Sequence, residues 1–184
     1  MGKVIRGTAS GKTTFTEKLK NQLGDIVTPF SSDDFYKGLP PNTNPDDYDF
    51  DHPNSLDFDH MFACLQKLSK GEEASIPSYC FKTHAKIPGG ERLIKPNKIL
   101  VFEGILSLHD DRIRSLMDLK IFIVCDEDLA LARRIKRDIS ERGRDVKEVL
   151  SRYMRFIKQS FQQFVKPQMK QADLIVPGGA NNDS

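Results

Sequence analysis

Short apolar runs alternate along this chain with longer stretches in which apolar residues recur every three or four positions. The segment Lys98 to Phe102 is continuously apolar from Ile99 onward, which is typical of a strand buried on both faces, and Leu119 to Val124 is predicted to be another buried strand. The longer stretches have the spacing of amphipathic helices that bury one face. This alternation predicts an α/β fold in which helices cover both faces of a doubly wound, mainly parallel sheet.

The pattern predicts a main sheet of five strands. Pro29 lies within the second strand and indicates an edge position, because proline has no N–H for a ladder hydrogen bond. The five predicted strands are Lys3 to Ile5, Val27 to Ser31, Lys98 to Phe102, Leu119 to Val124, and Asp173 to Val176.

The helical stretches have recognisable ends. Gly24 and Gly143 each follow a periodic stretch, as glycine does at helix C-termini. Pro167 is expected to stop the last helix. The apolar spacing of that helix predicts that Leu150 faces inward. Asn54 or Ser55 is the candidate cap of the second helix. The predicted helices are Lys12 to Leu23, Leu56 to Leu68, Ser107 to Leu116, Asp126 to Arg142, and Asp145 to Val165.

Two segments stand apart from this alternation. Residues 37–55 are rich in proline, asparagine and aspartate, and they predict a long loop. Ile76 to Phe81 and Glu91 to Lys95 flank Pro88-Gly89-Gly90 and predict a β-hairpin that stands off the main sheet. We therefore predict a single domain over residues 1–184, with a hairpin insertion at about 74–96 and a helical lid at about 137–147.

Composition narrows the function classes. The 184 residues are 38% apolar and 29% charged with a net charge of +2, which gives no reason to expect a nucleic-acid partner. No apolar run approaches the ~20 residues that a membrane-spanning helix needs. Cys64, Cys80 and Cys125 are too widely spaced to indicate a metal site or a disulfide framework. A cytoplasmic protein without a membrane partner is the expectation.

A glycine-rich segment between the first strand and the first helix has the chemistry of a phosphate cradle. Its glycines allow successive N–H groups to face one anion, and the following helix directs its positive end to the same place. Lys12 can reach the β- and γ-phosphates of a nucleotide and the Thr13 hydroxyl can ligate Mg²⁺. Arg6 stands where the phosphate-loop pattern has its first glycine. The cradle consists of Gly7, Thr8, Ala9, Ser10, Gly11, Lys12, Thr13 and Thr14.

Acidic residues follow two of the predicted strands. Glu103 comes directly after a buried strand and is placed to hold the metal shell, directly or through water, and Gly104 would permit a close approach of chain and ligand. Asp33 and Asp34 end the second strand, where only one of them can face the site. We choose Asp33 as the base that accepts a proton from a substrate hydroxyl. A turn whose aspartates bond their own backbone is the alternative.

Further along the chain, an acid and a set of rings suggest a small-molecule acceptor. Asp51 can accept hydrogen bonds from two vicinal hydroxyls of a sugar. Tyr79 and Phe81 alternate on one strand and precede His84, so that the rings can stack on a planar base while the imidazole bonds an exocyclic group. An aromatic core stripe is the alternative interpretation of this segment.

The charged helix and the turn after it concentrate cations. Arg134 and Arg137 share a helix face, while Arg142 and Arg144 flank a glycine, as a lid that closes over a triphosphate would require. A solvated helix face is the alternative, and Asp138 and Arg142 have the spacing of a simple ion pair.

Taken together, these motifs resemble the uridine–cytidine kinases of the P-loop kinase group from about Val4 to Gly179. The resemblance rests on G-T-A-S-G-K-T-T, S-D-D-F-Y, F-D-H-P-N, Y-C-F-K-T-H, F-E-G-I and above all R-D-I-S-E-R-G-R-D. It implies transfer of a phosphoryl group from ATP or GTP, with Mg²⁺, to the 5′-hydroxyl of uridine or cytidine in pyrimidine salvage. It also implies a homotetramer.

The resemblance further implies a role for each matching residue. Asp33 is the base, Glu103 and Thr13 serve the metal, and Arg152 stands near the nucleoside where the family often has glutamine. The residues that would contact the nucleoside are Tyr36, Asp51, Tyr79, Phe81, His84 and Arg134. Those that would face the phosphates are Lys12, Arg137, Arg142 and Arg144.

Two alternative functions stay open at this stage. Arg6 in the phosphate loop would suit a catalytically impaired nucleotide-binding paralogue. A related P-loop kinase that acts on another small alcohol would share the loop, the base and the lid, although the ring set suits a flat pyrimidine better than an acyclic acceptor.

Overall fold

The computed structural model describes residues 5–6 and 12–177, with residues 5, 6 and 12–17 described by their backbone alone. Five of its strands are parallel and correspond to those predicted from the sequence. The phosphate-loop residues Gly7, Thr8, Ala9, Ser10 and Gly11 lie outside the described residues. The five strands are β1 (Ile5–Arg6), β2 (Val27–Ser31), β7 (Ile99–Glu103), β8 (Ile121–Ile123) and β9 (Leu174–Val176).

The order of these strands places β1 near the middle. β1 pairs with β8 and β8 with β9, while β2 pairs with β7 in a second ladder, and β7 lies beside β1. Pro29 sits exposed on β2, which pairs only with β7 among the described residues, so its predicted edge position is confirmed. Since parallel strands present their carboxyl ends at one edge, the segments after β2 and β7 meet there.

Two apolar clusters lie on opposite faces of the sheet. Leu100 and Phe102 of β7 belong to one cluster and Val101 to the other, and all three are fully buried. The helix α1 (Lys12–Leu23) contributes Leu19 to the second cluster, while α2 (Phe58–Ser69) contributes to the first. The doubly wound arrangement predicted from the sequence is therefore confirmed.

The second helix begins later than predicted. α2 starts at Phe58 and is capped by Asp57, whose carboxylate accepts a hydrogen bond from the His60 N–H at 3.1 Å. Asn54 and Ser55, the predicted caps, instead belong to a short 3-10 turn over Pro53–Ser55. That turn has its own cap, because His52 Nδ1 accepts a hydrogen bond from the Asn54 N–H at 3.1 Å.

The hairpin turns at a different place from the one predicted. β3 (Ala74–Ile76) pairs with β6 (Arg92–Ile94), and between them β4 (Tyr79–Cys80) pairs with β5 (Ala85–Lys86). The tip is therefore the segment 81–84, and Pro88-Gly89-Gly90 forms only a turn on the returning arm. His84 closes the tip with a φ of 52°, and Phe81 lies in the tip rather than on a strand.

Two helices in the second half of the chain differ from the prediction, one in its length and the other in being interrupted by π turns. α3 (Asp111–Ser115) is shorter than predicted, and α4 (Glu127–Arg142) ends as expected at Gly143, whose φ is 67°. The predicted Asp145 to Val165 helix is a succession of α and π turns. It runs through α5 (Val146–Arg152), π turns at Tyr153–Ile157 and Phe161–Val165, and a short α6 (Lys158–Ser160) between them.

One side chain of α5 does not face inward as predicted. Leu150 was predicted to be buried but is 39% exposed, whereas its neighbour Val149 is buried. The α and π turns end at Val165, as predicted, and Pro167 lies in the first turn of the 3-10 helix over Lys166–Gln171 that follows. Proline is tolerated there because the first N–H groups of a helix have no intrahelical acceptor.

Candidate active site

A cavity opens at the carboxyl ends of β2 and β7, between the hairpin tip, the loop before α2 and the helices α4 and α5. It gathers most of the predicted site residues whose side chains the structure describes. Of those predicted, its lining includes Asp33, Tyr36, Asp51, Phe81, His84, Arg134, Arg137, Arg142 and Arg144. Its lining residues that the sequence did not single out are Tyr48, Asp49, Phe50, Ile105, Phe156 and Ile157.

The two adjacent aspartates after β2 point to different partners. Both lie in a 3-10 turn over Ser32–Phe35, in which Ser31 Oγ accepts a hydrogen bond from the Asp33 N–H at 3.3 Å. Asp34 turns to the hairpin, where it accepts hydrogen bonds from both terminal nitrogens of Arg92, at 3.2 and 2.5 Å. Asp33 lines the cavity, as expected if it is the acid that faces the acceptor.

The ends of β2 and β7 are joined by a side-chain hydrogen bond. Ser31 Oγ donates to Glu103 Oε1 at 2.7 Å, so the predicted metal-serving acid and the turn that carries Asp33 are linked. Lys12 and Thr13 open α1, but the structure describes only their backbone. Glu103 is thus placed at the predicted edge of the sheet, whereas the roles of Lys12, Thr13 and Thr14 stay predictions.

Gly104 was predicted to permit the close approach of a ligand, but in the structure it lies against Ser32. A Cβ added at Gly104 would lie 1.7 Å from Ser32 Oγ and 2.5 Å from Ser32 Cβ. The close approach is therefore between the segments that follow β7 and β2, and not between the chain and a ligand. The absence of a side chain at Gly104 lets the Asp33 turn pack directly against the end of β7.

Gly104→Ala is expected to destabilise the protein by about 1–3 kcal/mol, the usual cost of overpacking a buried site. A new side-chain rotamer of Ser32 cannot relieve the clash, because its Cβ is already too close. The backbone of the Asp33 turn must shift, so we expect a loss of activity beyond the loss of stability. Urea unfolding together with activity assays of the folded fraction would measure both, and wild-type values for both would contradict this packing.

A buried ion pair lies deeper in the cavity. Both terminal nitrogens of Arg134 contact the Asp51 carboxylate, at 3.3 to 3.4 Å, and both residues are less than a tenth exposed. The Nε atom of Arg134 is buried and has no hydrogen-bond partner among the residues that the structure describes. Burial works against the charge, but the adjacent Asp51 carboxylate raises the pKa of Arg134. Asp51 and Arg134 thus form a buried ion pair that lines the cavity.

Aromatic rings form one end of the cavity. His84 stacks on Phe50 with a centroid distance of 4.7 Å and an interplanar angle of 24°. Phe81 packs edge-on against Tyr36 at 5.8 Å. Tyr79 does not line the cavity, contrary to its predicted contact with a base, but lies behind it against Tyr36 and Phe81. Phe81 and His84 are thus the members of the predicted ring set that the cavity exposes.

Burial and neighbouring charges set the protonation of these side chains. Burial, followed by the carboxylates of Asp33 and Asp51, raises the pKa of Tyr36 well above its ordinary value. Burial lowers the pKa of His84, and the nearby cations Arg144 and Arg152 lower it further. At neutral pH the Tyr36 hydroxyl therefore keeps its proton and the His84 imidazole is uncharged.

The arginines of the predicted lid converge on one buried carboxylate. Asp138 is 1% exposed and contacts Arg137 at 2.8 Å, Arg144 at 3.2 Å and Arg142 at 3.3 Å. The spacing-based pairing of Asp138 with Arg142 is confirmed. Burial would raise the pKa of Asp138, but the cations around it outweigh that effect and lower it. Asp138 holds together three guanidinium groups that line the cavity, a role that the sequence analysis missed.

Arg152, the last residue of α5, reaches the same cavity from the other side. It is 7% exposed, and its guanidinium lies over the Phe50 ring, 5.3 Å from the centroid. Arg152 Nη1 donates to Asp46 Oδ1 at 3.3 Å.

Among the residues that the structure describes, no helix is long and apolar enough to span a membrane.

The comparison with known sequences decides the family. A sequence model described as "Phosphoribulokinase / Uridine kinase family" matches residues 4–184. The chain belongs to this family. It is 44% identical over 180 residues to uridine-cytidine kinase A of Dictyostelium discoideum, covering 97% of this chain and 36% of that one. It is 40% identical over 178 residues to a uridine kinase of Schizosaccharomyces pombe, covering 94% and 39%. The chain thus spans little more than a third of the length of these family members.

Solved structures with the same fold confirm the P-loop kinase architecture of the family. A possible uridine kinase from Bacillus stearothermophilus superposes with a TM-score of 0.64 at 17% identity, over 96% of this chain and 88% of that one. Phosphoribulokinase from Rhodobacter spheroides gives 0.69 at 16% identity, over 98% and 72%. At such identities the likeness supports the fold alone, so it does not favour the alternative of another small-alcohol acceptor.

Proposed function

We propose that this chain transfers the γ-phosphoryl group of ATP or GTP to the 5′-hydroxyl of uridine or cytidine, giving UMP or CMP. The observation that carries the proposal is one cavity that combines a ring-lined end, a buried Asp51–Arg134 pair, the acid Asp33 and a cluster of arginines. A base, a ribose, a reacting hydroxyl and a phosphate chain need these four environments in this combination. The relatives named as uridine or uridine-cytidine kinases add support.

The nucleoside half of the cavity explains how the acceptor would be held. Phe81 and His84 would frame the pyrimidine, with Tyr79 supporting Phe81 from behind and Tyr36 beside it. Asp51 would accept hydrogen bonds from the ribose hydroxyls, while Arg134, which pairs with Asp51, would reach the sugar side. These contacts fix the nucleoside so that its 5′-hydroxyl comes to Asp33, which would take up the proton.

The cation half would receive the triphosphate. Arg137, Arg142 and Arg144 would stabilise the charge that develops on the moving phosphoryl group, as fixed charges do in other phosphoryl transfers. Lys12 and the loop Gly7 to Thr14 would hold the phosphates, with Thr13 and Glu103 serving Mg²⁺. Glu103 offers the oxygen ligand that Mg²⁺ prefers, at the strand end where the Asp33 turn is anchored. A bound Mg²⁺ would neutralise charge on the phosphate oxygens.

We further propose a cytoplasmic homotetramer that acts in pyrimidine salvage. Cys64, Cys80 and Cys125 form no disulfide among the described residues, as is usual in a reducing compartment. Val146, Leu150 and Met154 are 47%, 39% and 69% exposed at four-residue spacing and would give α5 and the π turn after it an apolar contact face. Sedimentation equilibrium at several concentrations should report four chain masses, and a monomer throughout would contradict the tetramer.

A panel of acceptor alcohols tests the reaction itself. The chain is incubated with ATP and Mg²⁺ and with uridine, cytidine, ribulose 5-phosphate or D-glycerate, and ADP release is followed in a coupled assay. We expect turnover only with the pyrimidine nucleosides, because an acyclic acceptor has no planar base to pack against the rings at that end of the cavity. Turnover with the acyclic acceptors alone, or ATP consumption that is independent of every acceptor, would overturn the proposed function.

A further inference from the structure

The loop before α2 is fastened to the helical segment that follows α4. Three of its acids reach that segment, and of these three Asp49 is the one that lines the cavity. The pairs are Asp46 with Arg152, Asp47 with Arg155, and Asp49 with Ser160. Asp49 therefore has a partner on the helical segment and a place beside Asp51 in the wall of the cavity.

The peptide group that precedes the Asp51 side chain is held at both of its polar atoms. Its N–H, that of Asp51, donates to Asp49 Oδ1 at 2.9 Å. Its carbonyl oxygen, that of Phe50, lies 2.8 Å from the hydroxyl of Ser55, which also reaches the His52 carbonyl at 2.7 Å. Because a peptide group is planar, holding both atoms fixes the plane from which the Asp51 side chain projects.

The second oxygen of the Asp49 carboxylate is tied to the helical segment. Ser160 Oγ donates to Asp49 Oδ2 at 2.5 Å, and Ser160 is 3% exposed. Ser160 lies at the end of α6, between the two π turns, and does not line the cavity. The two oxygens of Asp49 thus connect a buried hydroxyl outside the cavity to the backbone of Asp51 inside it.

The ion pair with Arg134 does not by itself hold Asp51 closely. Its contacts, at 3.3 to 3.4 Å, are longer than the about 2.7–2.9 Å that is usual between a guanidinium and a carboxylate. The direction of the Asp51 carboxylate therefore depends on its backbone as well. A group that binds a substrate needs such supporting contacts, because small displacements weaken directional hydrogen bonds.

We propose that Asp49 is a positioning residue that aims the Asp51 carboxylate at the ribose hydroxyls, with Ser160 as its anchor. Asp49 acts by accepting the Asp51 N–H, and the Ser160 hydroxyl keeps the Asp49 side chain in the orientation that this bond requires. This inference rests on the proposed function, in which Asp51 binds the ribose, and adds the residues that make this contact precise.

The test compares uridine with 2′-deoxyuridine, which lacks one of the hydroxyls that Asp51 would bind. Wild-type protein should favour uridine by at least ~10-fold in kcat/KM, because a site that binds a hydroxyl rejects the analogue without it. Asp49→Ala releases the Asp51 peptide, so this ratio should fall at least ~5-fold, chiefly through a higher KM for uridine. A merely structural loss would lower kcat/KM for both nucleosides equally.

A conservative variant and a neighbouring acid provide the controls. Asp49→Asn keeps an oxygen for the Asp51 N–H and an amide that can donate to Ser160, so it should hold the ratio within about twofold of the wild-type value. Asp47→Ala removes the same charge two residues away, where the pair with Arg155 is about half exposed. It should leave the ratio at the wild-type value.

Ser160→Ala tests the anchor without any change in the wall of the cavity. Alanine is well tolerated in helices, so this variant should fold, and the ratio should fall about twofold to fivefold through the loss of one buried hydrogen bond. Combined with Asp49→Ala it should cause no further loss, because both changes break the same connection.

Several results would overturn the positioning role while leaving the proposed reaction intact. They are equal wild-type efficiencies for the two nucleosides, equal losses for both in Asp49→Ala, an Asp49→Asn variant as impaired as Asp49→Ala, and a wild-type ratio in Ser160→Ala. Absence of turnover of uridine by wild-type protein would instead overturn the proposed function.

Discussion

Asp33→Asn is expected to lower kcat by at least ~100-fold while uridine still binds, since a positioned base contributes on this scale. Asparagine keeps the size of the side chain and the Ser31 contact, which is made by the backbone N–H of residue 33. It removes only the capacity to take up the proton of the 5′-hydroxyl. Steady-state kinetics and calorimetric titration with uridine would separate the two effects.

The neighbouring acid provides a matched control for this variant. Asp34→Asn makes the same chemical change one residue away, but the Asp34 carboxylate pairs with Arg92 of the hairpin outside the cavity. An ion pair of this kind at the surface contributes little, so kcat should stay within about twofold of the wild-type value. Near-normal turnover of Asp33→Asn, or equal losses in both variants, would contradict the assignment of the base.

Asp138→Asn is expected to cost about 2–3 kcal/mol of folding free energy and to lower kcat/KM for ATP by at least ~10-fold. The carboxylate contacts three guanidinium groups at 2.8 to 3.3 Å and is almost fully buried. An amide cannot balance their charge, so Arg137, Arg142 and Arg144 repel one another and lose their shared anchor. Urea unfolding and ATP-dependent kinetics would measure the two effects.

Acid pH supplies a second test of Asp138. Because its pKa is lower in the folded protein, its contribution to stability is fully present above the unfolded value of about 3.9 and is lost as pH falls through the folded value. Asp138→Asn should remove this part of the acid destabilisation. Glu141→Gln, a change of an exposed acid on the same helix, should leave both stability and the acid profile unchanged. If Asp138→Asn unfolds at the wild-type urea concentration, the carboxylate is not the anchor of the cluster.

The main sheet could be predicted from the sequence because its signal is local. Ile99 to Phe102 has no polar position, and the structure buries Leu100, Val101 and Phe102 between two apolar clusters. Gly143 likewise marked the end of α4, since its left-handed φ is natural only for glycine. Pro29 correctly indicated an edge strand. In each case, neighbouring residues in the sequence determine the structure.

The features that the sequence did not reveal depend on contacts between distant segments. Asp57 caps α2 because a bridge between Tyr36 and Leu56 holds the chain extended just before it, and no local pattern shows that bridge. Gly104 is required by Ser32, a residue from another strand end. The structure also leaves Leu150 of α5 39% exposed while its neighbour Val149 is buried, and the chain continues after α5 in π turns that no local pattern indicated.

The candidate site was predictable in its parts but not in its arrangement. Its acids, rings and arginines each stood out as a motif, yet the charged run around Asp138 equally suited a solvated helix face. Only the fold shows that Asp138 is buried beneath three arginines, and that Tyr79 stands behind Phe81 instead of beside the base. Arg152 was recognised through the resemblance alone, because nothing in its own helix distinguishes it from Arg155.

A crystal structure of the chain with uridine and a non-hydrolysable ATP analogue tests the central claim most directly. We predict that the ribose 5′-oxygen lies within about 2.6–3.2 Å of an Asp33 carboxylate oxygen and in line with the γ-phosphate, the geometry that a base and its proton donor require. Uridine bound away from this cavity, or Asp33 turned away from the 5′-oxygen while both ligands occupy it, would contradict the claim.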